Sequence, residues 1–163
     1  MTTSSTTAAP AAARARNVPA LTGIGIGLVL TSTVAVLPAL GGAPFDALVA
    51  HVQAGYPAYS LQDAENAAGL YVAILASVGA VGALAWLGTL WAVLARQGWA
   101  RWLALGLLAA SLLLALVGLT TLDTSGDVGL APVIGWLQLV PCLAGAAVVF
   151  ALWRRSAASP TRR

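Results

Sequence analysis

The sequence predicts an all-α integral membrane protein: a four-helix antiparallel bundle with a short amphipathic helix in its first outer loop. Three observations carry this. First, 60% of the 163 residues are apolar and 8% are charged, with a mean hydropathy of +0.88. Such a composition excludes an ordinary soluble domain. Second, four apolar stretches lie at about 18–40, 69–95, 102–122 and 130–153. Crossing a hydrocarbon layer of about 30 Å takes about 20 residues. Third, the charges separate by sign. Arg14 and Arg16 precede the first stretch, Arg96 and Arg101 lie between the second and third, and Arg154, Arg155, Arg162 and Arg163 follow the fourth. Asp46, Asp63 and Glu65 fall between the first and second, and Asp123 and Asp127 between the third and fourth. Arg-bearing loops stay cytoplasmic, so both termini are expected inside. The absence of Lys and the abundance of Ala and Gly fit a GC-rich bacterium, and hence a bacterial plasma membrane.

Each element follows from local chemistry. Residues 1–17 are Thr, Ser and Ala with one Pro and two Arg, and are expected to form a disordered cytoplasmic tail. The membrane domain is expected over 18–155, and 156–163 as a second cytoplasmic tail. Pro19 suits a first helical turn, where its missing N–H costs nothing. Pro38, Gly41 and Gly42 end the first span. Read instead as a signal peptide, the first segment has a positive region and a small-residue site at residues 41–43, but its apolar stretch exceeds the usual signal core of about 7–15 residues.

The first outer loop carries Phe45, Leu48, Val49 and Val52 at i, i+3, i+4 and i+7, which predicts a short amphipathic helix over 44–54. It lies on the outer leaflet or across the bundle mouth. Ser60 with Asp63 three residues on is a capping signal. The helix it opens can run to Arg96, about 54 Å at 1.5 Å per residue, so its first turns should stand above the hydrocarbon. Gly98 is available to stop that helix. Residues 123–129 form a short outer turn, and Pro132 falls in the first turn of the fourth span. Trp99, Trp102 and Trp153 flank the cytoplasmic Arg residues, where indoles favour the interface.

Few residues offer chemistry. The spans hold no Asp, Glu, Lys, Arg or His, which argues against a proton-coupled pump. Gly23, Gly27, Thr31 and Ala35 form a small-residue ridge that allows close helix approach, within the chain or between copies. The stretch from Gly23 to Gly27 is no nucleotide loop, because the preceding strand and the x-x-G spacing are absent. In the fourth span Gln138 and Cys142 share a face, and Pro141 frees the Leu137 carbonyl from its helical donor. That polar spot serves packing against another helix or contacts a solute. On the outer side Asp46, His51, Asp63, Glu65, Asp123 and Asp127 offer a metal or acid–base site, without diagnostic spacing. A single Cys excludes an intrachain disulfide. No cofactor is expected.

Three functional classes follow. The leading one is a non-catalytic accessory or assembly subunit acting through helix–helix association, with the bilayer and a membrane protein or a second copy as partners and no nucleic acid. The second is a small transporter or channel for a neutral or apolar solute. The third is a membrane enzyme with its site outside. A sealed interior favours the first, a cavity reaching Gln138 the second, and His51 converging on two acids the third.

Overall fold

The computed structural model describes residues 8–157, with side-chain surroundings over 17–155. The expected tail at 156–163 and the first seven residues thus lie largely outside the described residues. Among the described residues the chain is helical, without a strand. Its elements are α1 (Ala8–Val36), a 3₁₀ turn (Leu37–Leu40), α2 (Ala43–Gly55), α3 (Leu61–Leu94), α4 (Ala100–Thr120), α5 (Pro132–Leu137) and α6 (Leu139–Ala157). Four helical stretches are long and apolar enough to cross a membrane: Asn17–Leu40, Leu61–Leu94, Ala100–Thr120 and Pro132–Arg155. Only 11–22% of the most apolar part of each is buried within the protein. The remainder, with Leu70, Leu84 and Leu143 among its most exposed side chains, presents an apolar exterior too large for water to tolerate.

The Ser60 hydroxyl oxygen accepts from the Asp63 N–H, and the Asp63 carboxylate accepts from the Ser60 N–H, a reciprocal capping box that opens α3. Gly41 and Gly42, at φ +79° and +70°, swing the chain from the 3₁₀ turn into α2 through backbone that glycine adopts without strain. Asp46 lies in the first turn of α2, at the positive end of its dipole.

Four details differ from the sequence reading. α1 begins at Ala8, so residues 8–17 of the expected tail are helical and Pro19 sits inside the helix. The Ala-rich segment is a strong helix former, and it extends a helix already nucleated by the span. Gly98 does not stop α3. Arg96 takes the left-handed conformation, φ 55°, and its N–H and that of Gln97 donate to the Val93 and Ala92 carbonyls, closing the helix as a Schellman motif. The fourth span is two helices, interrupted at Gln138, three residues before Pro141, whose nitrogen has no hydrogen to give to Leu137. The outer turn also carries a short antiparallel bridge between Leu122 and Val128.

Packing places α1 against both α3 and α6, α6 against α4, and α2 across the N-terminal part of α3. Contacts between α1 and α3 run in opposite sequence directions: Gly27 meets Trp86, Thr31 meets Gly82 and Ala35 meets Gly79. Two separate cores result. One joins α2 (Leu48, Val49, Val52) to Ala64 and Ala68 of α3 and to Leu130, Ala131 and Ile134. The other joins Ala20 and Ile24 of α1 to Ala92, Val93, Ala100, Ala104, Val148 and Leu152 at the Arg-bearing end. α3 and α4 have sparse contacts, although only residues 95–99 separate them in sequence. That divergence leaves a hollow between them.

Candidate functional site

Between the two cores lies a cavity of about 410 Å³. Its upper wall includes Leu75 from the first core, and its lower wall Ala104 and Val148 from the second. α1 contributes Thr31 and Ala35, α3 contributes Gly79, Gly82 and Trp86, and the broken fourth span contributes Gln138, Pro141 and Cys142. The rims are Ser77, Val78 and Val81 on α3 and Ala110, Ser111 and Leu114 on α4, all exposed. The cavity therefore opens sideways between α3 and α4, while a packed core closes it toward either end.

The small-residue ridge of α1 forms the back wall. A Cβ at Gly23 would stand 2.7 Å from Val148 Cγ2, and one at Gly27 would enter the Trp86 indole. The Trp86 indole N–H donates to Thr31 Oγ1 at 2.9 Å. Ala35 is buried against Gly79. Gly23, Gly27, Thr31 and Ala35 thus all pack within the chain, against α3 and α6. Gly25, off the ridge, has no such neighbour within 4 Å.

The polar groups around the cavity are mostly committed. The Ser77, Thr89 and Ser111 hydroxyls donate to the Ala73, Ala85 and Leu107 carbonyls, each at 2.8 Å. The Cys142 thiol is buried and donates to the Gln138 carbonyl at 3.6 Å. The Gln138 side-chain amide is different: it lines the cavity and forms no hydrogen bond with any described residue. Two N–H donors and an acceptor oxygen therefore face an apolar space. Leaving such a group unsatisfied away from water costs about 1–3 kcal/mol. Gln138, Pro141 and Cys142 are brought together at this point, as their spacing requires.

Of the outer-face candidates, His51 and Asp123 come within electrostatic range of each other, but no larger cluster forms among the described residues. Asp63 is spent on the α3 cap, and Asp46, Asp63 and Glu65 form no cluster with His51. Among the described residues no three His, Cys, Asp or Glu side chains could hold a metal ion. His51 instead donates from Nε2 to the Val128 carbonyl at 2.6 Å, tying α2 to the outer turn. Tyr56 bonds Thr124 Oγ1 at 2.6 Å and stacks on Tyr59. Asp123 organises the turn: the Ser125 hydroxyl and N–H both donate to Oδ1, the latter at 2.7 Å. Those two donations, followed by weaker help from Tyr56 and His51, hold the Asp123 carboxyl below the usual carboxylate range despite a small opposing effect of burial. The role of Asp123 was invisible in sequence; only an Asp-x-Ser turn signal hints at it.

Fold and site together define an all-helical chain with four potential membrane-spanning helices around a laterally open apolar cavity. Comparison with protein-family models, curated proteins and solved structures gives no match. The functional reading therefore rests on the chemistry of this chain.

Proposed function

We propose that this is a multi-pass protein of the bacterial plasma membrane that binds a small, neutral, largely apolar molecule, admitting it from the lipid phase. The observation that carries this reading is the unpartnered Gln138 amide in an apolar cavity of about 410 Å³. Small-molecule sites are typically apolar hollows of about 300–1,000 Å³ with a few placed polar groups. An α-helix, about 10 Å across, is too wide for it, so the cavity suits a small molecule or one lipid chain better than a partner's transmembrane helix. The cavity at Gln138 favours this reading over a purely structural accessory subunit, for which a sealed interior is expected. The cores at both ends disfavour a continuous aqueous channel.

The membrane arrangement belongs to the same proposal. The opposed contact order of α1 and α3 supports an antiparallel bundle. Arg96, Arg101, Arg154 and Arg155 sit at one end of the helices with Trp91, Trp99, Trp102 and Trp153, and the acids sit in the two loops at the other. This supports cytoplasmic termini. The length of α3, 34 residues or about 51 Å, supports an outer extension that carries Asp63 and Glu65 clear of the hydrocarbon.

The test compares 1-dodecanol with dodecane, which lacks a group that Gln138 can bond. Binding to protein in lipid nanodiscs is read as the shift in thermal midpoint. Dodecanol should bind more tightly, and Gln138→Leu should reduce its affinity by about threefold to twentyfold, matching hydrogen bonds of about 0.6–1.7 kcal/mol in membranes. Equal binding of the two molecules, or an undiminished response in Gln138→Leu, would overturn the reading.

A further inference from the structure

The Arg-bearing end holds a guanidinium that no described side chain neutralises. Arg101 is half-buried in the first turn of α4. Its Nε is buried without a hydrogen-bond partner. Its guanidinium carbon lies 5.8 Å from the Trp102 ring centroid and 5.5 Å from that of Trp153. Those two indoles meet edge to face, 5.1 Å apart at 80°, and fix the cation between them. On α6, the Arg154 guanidinium carbon sits 5.3 Å from the Phe150 ring. All five acids of the chain lie in the loops or first turns at the far ends of the helices, so no carboxylate can serve.

Arg101 is also placed where a helix disfavours a cation. The first turn of α4 has free N–H groups and the positive end of the dipole, and the N-cap Trp99 offers no side-chain bond. Two sources of positive potential thus coincide at one spot. An anion would satisfy both, and a phosphodiester matches the planar fork of a guanidinium. The level of the spot names the source. Trp102 and Trp153 are partly exposed beside the spans, at the depth where indoles border lipid head groups. Basic pockets between helices at the cytoplasmic surface suit anionic head groups.

We propose that Arg101, framed by Trp102 and Trp153, binds the phosphodiester of an anionic glycerophospholipid. This rests on the membrane reading above but not on the Gln138 cavity, so the two can fail separately.

The experiment uses full-length protein in a neutral mild detergent, with bound lipid counted by native mass spectrometry. The probes are dioleoyl phosphatidylglycerol, dioleoyl phosphatidylcholine and inorganic phosphate. Wild type should retain phosphatidylglycerol in preference to phosphatidylcholine. Arg101→Gln should lose about tenfold in phosphatidylglycerol affinity, the scale of one charge-assisted contact. Arg96→Gln, on the exposed hairpin away from the indoles, should lose far less. Arg101→Lys keeps the charge and loses the fork, so it should fold and still bind several-fold more weakly, which covers a folding failure of Arg101→Gln. Equal retention of the two lipids would overturn the proposal, as would an Arg101→Lys protein that binds like wild type. Displacement of bound phosphatidylglycerol by millimolar inorganic phosphate would show a general anion site and overturn the lipid assignment. Stable co-purification of an acidic protein at this face, abolished by Arg101→Gln while lipid retention is unchanged, would do the same.

Discussion

Gly79→Ala tests the back wall of the cavity, where α1 and α3 touch. The added methyl falls inside the contact distance of the Ala35 methyl, with the Ala35 Cα at 3.5 Å and the Thr31 carbonyl oxygen at 4.0 Å. None of these can rotate away, because a methyl on a helix has no torsion that moves its carbon. The two backbones must therefore part, and Ala35 and Gly79, both buried, lose their fit. Overpacking of this kind costs about 1–3 kcal/mol. Ala gains back about 1 kcal/mol over Gly in a helix interior, which leaves a net loss of about 0–2 kcal/mol, and about 1–3 kcal/mol relative to a Gly→Ala change in open space. Gly69→Ala is the control on the same helix, since a Cβ there has nothing within 4 Å. It should be neutral or stabilise by up to about 1 kcal/mol. Unfolding in mixed detergent micelles, followed by circular dichroism, measures both. If Gly79→Ala proves as stable as Gly69→Ala, the close α1–α3 approach is not a feature of the folded protein.

Three further outcomes follow from local geometry. Arg96→Gly should raise stability by about 1 kcal/mol, read as a higher thermal midpoint, because an L-residue at φ 55° carries a left-handed penalty of about 1–2 kcal/mol that Gly avoids. Ser60→Ala should cost about 1 kcal/mol and speed amide exchange at Leu61–Ala64, while exchange in α4 stays unchanged. Because the folded Asp123 carboxyl titrates below its unfolded value, its contribution is present above the usual carboxylate range and lost as pH falls through the depressed value. Acidification should therefore loosen the turn, seen as smaller protection factors at Ser125 and Gly126 once intrinsic exchange rates are divided out. Asp123→Asn should make those protection factors insensitive to pH over the same window.

Much of this fold was legible because the bilayer imposes coarse rules. Span length and the segregation of Arg from acid reveal the four apolar helices without any knowledge of packing. The Ser60–Asp63 cap and the Phe45, Leu48, Val49, Val52 face are local signals, and α2 and α3 begin within a residue of where they point. Departures arise where local rules compete. A glycine at 98 looks like a helix stop, yet the chain turns two residues earlier and makes Arg96 adopt the glycine-like conformation. Pro19 suits a helix start, but the Ala-rich segment before it extends the helix. The site was legible only in part. Spacing places Gln138 and Cys142 on one face beside Pro141. It does not reveal that α3 and α4 diverge, because that depends on α1 filling the centre with Gly23, Gly27 and Thr31. Nor does it show Trp86 donating to Thr31, a contact across 55 positions of sequence.

The central claim is a cavity inside the membrane that opens to lipid and is closed to water. A nitroxide at Ser111→Cys, on the α4 rim, tests it in proteoliposomes of a Cys142→Ala background. Collision rates with molecular oxygen and with a water-soluble nickel chelate are compared with those of a label at Asp127→Cys in the outer turn. The rim label should meet oxygen freely and the chelate hardly at all, while the outer-turn label meets the chelate freely. A chelate collision rate at Ser111 equal to that at Asp127 would place water in the cavity and contradict the account.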